Sequence, residues 1–74
     1  MSRLTTIKPR NLEKILLQLG FRPVRQKGSH VFYEHADRRT TTIPFHGNRE
    51  ISVPLLKTIL REIGIGQEDF QKLL

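Results

Sequence analysis

Cysteine is absent from the 74 residues, which removes disulfides, thiolate zinc sites and cysteine nucleophiles together. The same absence fits a cytoplasmic protein, because disulfides are rare where thiols stay reduced. Long apolar runs are missing too. No stretch approaches the ~20 residues that a helix needs to cross a bilayer. The opening "MSRLTTIKPR" has no apolar core of the kind a secretory leader carries, so no signal peptide is expected. Acidic residues are few, seven against thirteen Lys and Arg, for a net charge of +6. They are also scattered: Glu13, Glu34, Asp37, Glu50, Glu62, Glu68 and Asp69 have no spacing that would gather carboxylates around Mg²⁺. The three histidines lack the i, i+4 or His-x-His spacing of a zinc set. No metal and no other cofactor is expected.

What is present starts with size and charge. A chain of this length reads as a single domain, residues 1–74, whose small core leaves it marginally stable alone. A protein partner that binds the folded form would add stability by mass action. The positive surplus biases the domain toward polyanions such as RNA, since each phosphate neutralised releases condensed counterions. The plainer reading of that charge is a solubilising surface.

Hydrophobic spacing gives the elements. In "KPRNLEKILLQLGF", Leu12, Ile15, Leu16 and Leu19 form one buried helical stripe, and Pro9 suits the first turn. Gly20 can take the left-handed conformation that stops a helix, letting Phe21 fold back onto Leu16. "FRPVRQ" reads as an edge strand because Pro23 removes a donor. Lys27-Gly28-Ser29 reads as a turn, and "HVFYEH" as a strand rich in β-branched and aromatic residues. After a second turn at Ala36 to Arg39, "TTTIPF" is a third strand. Ser52 is a suitable N-cap for a helix with Pro54 in its first turn and Leu56, Ile59, Leu60 and Ile63 as its stripe. Gly64-Ile65 repeats the earlier stop signal. A short final helix, "QEDFQKLL", turns Phe70, Leu73 and Leu74 to one face. The order α-β-β-β-α plus a short C-terminal helix predicts an α+β two-layer sandwich. Its helices cover one face of a three-stranded antiparallel sheet, as in double-stranded-RNA-binding domains, and the other face stays open.

The histidines are the side chains that titrate near neutrality. A meander places His30, which follows Gly28-Ser29, at the same sheet end as His46 in "PFHG"; His35 falls at the other end and reads as a surface residue. Arg22, Arg25 and Lys27 precede His30. Gly28 permits close backbone approach to a ligand, Ser29 offers a hydroxyl, and turn N–H groups can hold an anion. RNA carries its own nucleophile in the 2′-hydroxyl, so one positioned imidazole plus cations are the minimum parts for its cleavage without a metal. From the residues alone, an inert exposed histidine is the commoner reading of "GSH". His46 reads first as a strand-end hydrogen bonder and second as a proton-transfer group. Phe32, Tyr33, Ile43 and Phe45 read as core or sheet residues.

These pieces, in this order, resemble the HicA-type toxins, small mRNA-cleaving partners of HicB antitoxins in bacterial toxin–antitoxin modules. The likeness runs from "LLQLGF" through "RQKGSH", the following Tyr33 and His35, "IPFHG" and "LLKTILREIGI" to "QEDF". It implies a double-stranded-RNA-binding-domain-like fold, a metal-independent mRNA endonuclease, catalysis by the histidine of Gly-Ser-His, here His30, and a HicB-type antitoxin that masks it. Two positions depart from the pattern: Asp37-Arg38 stands where Asp-Gly is usual, and Gly66 where Ser is common. Lys27, Gly28 and Ser29 would seat a phosphate, Arg22 and Arg25 would attract RNA, and His46 would assist. A non-catalytic RNA-binding module of the same fold needs nothing from His30. The double-stranded-RNA readers' basic helix start is thin here, however, with Glu50 between Arg49 and Lys57.

Overall fold

The computed structural model describes residues 3–74. Its elements are α1 (Pro9–Gln18), β1 (Arg22–Lys27), β2 (His30–Glu34), β3 (Thr40–Pro44), α2 (Val53–Ile63) and α3 (Gln67–Leu73). The strands form one antiparallel sheet in the order β1-β2-β3. The α+β expectation is met, with each strand beside its sequence neighbour.

Both long helices begin and end as their residues dictate. Pro9 opens α1 and Ser52 caps α2, its hydroxyl accepting from Leu55 N–H at 3.4 Å. Gly20 has φ +94° and Gly64 φ +76°. Beyond each, the chain turns back: Phe21 N–H donates to Leu16 O at 2.9 Å and Ile65 N–H to Leu60 O at 3.0 Å. That paired bonding satisfies helix-end carbonyls that would otherwise lack a donor.

The core fills the space between the helices and one sheet face. Leu12, Ile15 and Leu16 of α1 meet Leu56, Ile59, Leu60 and Ile63 of α2, with Tyr33 and Ile43 from the sheet and Phe70 from α3. Full burial of such a side chain stabilises by ~1.5–3 kcal/mol. Tyr33 is buried by its ring and donates its hydroxyl to Glu13 on α1. One expectation needs correcting here. Leu74 is 64% exposed instead of joining Phe70, because the helix ends one residue earlier. Of the residues expected in the core or sheet, Phe32 is a sheet residue on the open face, half-buried, since Tyr33 takes the core-facing position of the alternating strand.

One further tie has no local sign in the sequence. Leu4 and Ile7 are buried, and Ile7 forms an antiparallel bridge with Ile51 just before α2. The N-terminal segment thus pins the start of α2 to the layer below.

The sheet end formed by the β2–β3 turn is structural. His35 is a correction to the expectation of a surface residue: its side chain is only 22% exposed. Nε2 donates to Leu19 O at 3.1 Å, and the ring packs edge-on against Phe21. Arg39 donates to Ile63 O at the end of α2 and lies 5.1 Å from the Phe21 ring centroid. One turn therefore supplies a partner for the C-terminal carbonyls of both helices, where positive charge is also favoured.

Candidate functional site at the hairpin end of the sheet

The opposite end of the sheet carries the remaining histidines. β1 and β2 are joined by a two-residue loop, Gly28 and Ser29, with Lys27 directly opposite His30. Lys27 closes the strand instead of belonging to the turn, as the sequence reading had it. Gly28 has φ +59° and Ser29 has no positive φ, the pattern of a type II′ hairpin turn. This loop sets Lys27 and His30 side by side on one face. Nothing lies within 4 Å of the point where a Cβ would stand on Gly28, so the turn's backbone is open to a ligand.

β3 brings His46 to the same place. His30 opposes Pro44, and Phe45 N–H donates to Ser29 O at 2.7 Å, extending the ladder by one residue. Ser29 Oγ and His46 Nδ1 share a hydrogen bond at 3.1 Å. The rings of His30 and His46 meet edge to face, centroids 5.6 Å apart at 90°. Both exposed imidazoles open on a cleft between the sheet and the start of α2, lined also by Arg49, Ser52 and Leu55. Arg49 is brought in by a turn in which its N–H donates to His46 O at 2.9 Å. Glu50 lies on the same wall and accepts a hydrogen bond from Thr6.

The cations of β1 reach this face through a bulge. Pro23 opposes Tyr33 and Arg25 opposes Phe32, which leaves Val24 without a counterpart. In a regular strand Arg22 and Arg25, three apart, would point to opposite faces. The extra residue puts Arg22, Arg25 and Lys27 all on the face that carries His30 and Phe32. Arg25 stacks over Phe32, 4.7 Å from the ring centroid. Arg22, paired with Glu34, stands at the far end of the strand from His30.

The structure thus gathers Lys27, Gly28, Ser29, His30 and His46 at one corner, sets Arg25 midway along the sheet, and leaves Arg22 remote. Sequence reasoning gave Arg49 no part in this corner; its only local signal was a cation three residues after His46. Phe32 was expected in the core or sheet with its face left open, because strand alternation alone does not say which set of side chains faces the helices. Among the described residues no group of three or more His, Cys, Asp or Glu side chains could hold a metal ion. No helix of the described residues is long and apolar enough to cross a membrane.

In chemical terms the corner offers two proton-transfer groups in contact, a lysine and an arginine beside them, and open backbone at a glycine turn. It suits an anionic substrate whose reaction moves protons. A model of the family described as HicA toxin of bacterial toxin–antitoxin systems matches residues 9–65, which includes the whole corner. No curated protein matches the chain.

Proposed function

The chain belongs to the HicA toxin family of bacterial toxin–antitoxin systems, and from that premise we propose that it is an endoribonuclease that cleaves mRNA without a metal ion. The observation that carries the reading is the exposed His30 ring set 5.6 Å from the His46 ring and directly opposite Lys27. His30 removes the proton of a ribose 2′-hydroxyl as its oxygen attacks the adjacent phosphorus. The bond from phosphorus to the 5′-oxygen breaks, and His46 in its protonated form returns a proton to that oxygen. The products are a 2′,3′-cyclic phosphate and a free 5′-hydroxyl. Lys27 and the backbone at Gly28 and Ser29 seat the phosphate, and the nearby cations stabilise charge that grows on its oxygens. Arg22 and Arg25 attract the RNA strand.

A toxin of such a module has an antitoxin. We assign that role to a HicB-type protein that covers the His30 corner, and place both in the cytoplasm, where mRNA is. His30→Ala is expected to reduce cleavage by ~10²–10⁴-fold, the usual share of a general acid–base group, with the melting temperature unchanged because the side chain is exposed. Purified protein incubated with single-stranded RNA in EDTA provides the assay. Cleavage at the parental rate by His30→Ala would overturn the assignment, and intact but bound RNA with the parental chain would favour a non-catalytic RNA-binding module.

A further inference from the structure

We infer that Phe32 and Arg25 form a stacking subsite for one base of single-stranded RNA, next to the cleavage corner on the open face of the sheet. The inference rests on the ribonuclease reading above and names where that substrate's neighbouring nucleotide goes.

The open face has a single aromatic ring at its centre. Phe32 lies on β2 two residues beyond His30, and Thr42 opposes it on β3. Arg25 opposes it on β1 with its guanidinium 4.7 Å from the ring centroid. The surface is concave here, with Val24, Glu34 and Thr40 completing the rim. Phe32 is half-buried, whereas Tyr33 and Ile43, on the other face, are fully buried. The ring's outer surface is thus covered by one flexible cation and by no packed element.

Charge selects the occupant. Arg22, Arg25 and Lys27 line one side of this face and, among the described residues, Glu34 is its one carboxylate, opposed by Arg22. A polyanion is favoured, and the face needs from it something flat. A base supplies that: it can lie against Phe32 and the guanidinium plane, which gains by cation–π attraction to either ring. The site fits a splayed, unpaired base, because a paired base already has both faces stacked and its edges hidden. Spacing agrees as well. Two strand residues separate His30 from Phe32 by roughly 7 Å, about one nucleotide step, so a phosphate at the corner brings its neighbour's base over the ring. Arg25 then acts through its plane, and Lys27 is left as the phosphate contact.

The test uses His30→Ala protein, which leaves the RNA intact, and a short single-stranded RNA in which each position in turn is replaced by 2-aminopurine or by an abasic nucleotide. Quenching of the fluorescent base is expected at one position beside the protected phosphate. Adding Phe32→Leu should weaken binding about 5- to 150-fold, the range measured for loss of one base stack, and Phe32→Tyr should restore it. Thermal unfolding of each variant checks the fold. An abasic nucleotide at the quenched position should cost the Phe32 protein affinity and cost Phe32→Leu nothing further. Equal affinity of the Phe32 and Phe32→Leu proteins, or equal abasic penalties in both, overturns the subsite. Loss of antitoxin binding in Phe32→Leu with RNA affinity unchanged also overturns it, assigning the face to protein. If His30→Ala still cut the RNA at the parental rate, the catalytic assignment of His30 would fail by itself, and binding would be read with a 2′-deoxy substitution at the cut position. RNA left intact by the parental chain would overturn the ribonuclease reading while the subsite could still be scored by binding.

Discussion

Ser29 Oγ stands 3.1 Å from His46 Nδ1, while Ser29 O accepts from Phe45 N–H at 2.7 Å. One serine therefore holds the exit of β3 by its backbone and orients the imidazole at that exit by its hydroxyl. Ser29→Ala removes only the second bond. RNA cleavage is expected to fall about fivefold, the worth of one ordinary hydrogen bond, with KM and melting temperature close to wild type. Unchanged turnover in single-turnover kinetics would mean that the setting of the His46 ring is immaterial.

Tyr33 links the sheet to α1 through its hydroxyl and Glu13. Tyr33→Phe leaves a half-buried carboxylate without its donor and is expected to cost ~1–3 kcal/mol in urea unfolding. Burial, and then the bond to Glu13, pushes the phenol above its ordinary value of 10.0. The unfolded chain thus loses this proton first. Stability from the group is complete below pH 10.0 and declines as pH rises above it. Tyr33→Phe should flatten the alkaline limb of a stability–pH profile.

Asp37 gives the opposite sign. Its hydrogen bonds to Arg39 hold the carboxyl at about 2, against an ordinary 3.8. The contribution is present above pH 3.8 and is lost as pH falls toward 2. Because Arg39 also donates to Ile63 O at the end of α2, acid should loosen that helix end first. Amide protection near Gly64, corrected for the intrinsic pH dependence of exchange, that falls between pH 4 and pH 2 in the parental protein and is already low at pH 4 in Asp37→Asn is the expected result.

Arg38 has φ +83°, a conformation that costs a residue with a Cβ ~1–2 kcal/mol. Glycine relieves this at an entropic cost of roughly 0.5–1 kcal/mol. Arg38→Gly is therefore expected to stabilise the fold by about 1 kcal/mol or less, read as a raised urea midpoint. Cleavage should be unaffected, since the turn lies at the sheet end opposite His30. A lowered midpoint would show that the Arg38 side chain has a role of its own.

The helices were legible because their signals are local: a stripe of spaced aliphatic residues and a glycine whose successor folds back. The meander and the pairing of His30 with His46 at one corner followed from strand order alone. What escaped depends on distant partners. The Ile7–Ile51 bridge has no period to announce it, and His35 looks like any polar strand end until Leu19 O and Phe21 are beside it. Val24 is an extra residue only by comparison with its partner strand. Without it, the common face of Arg22 and Arg25 could not be worked out.

Val24 matters beyond the strand it bends. β1 is the outer rim of the meander, and all six of its residues are exposed, so its unpaired amides could template another copy's strand. Pro23 withholds one donor there, and the irregular step at Val24 spoils the repeat an incoming strand would need to match. Both features oppose the addition of a second copy's strand along this rim.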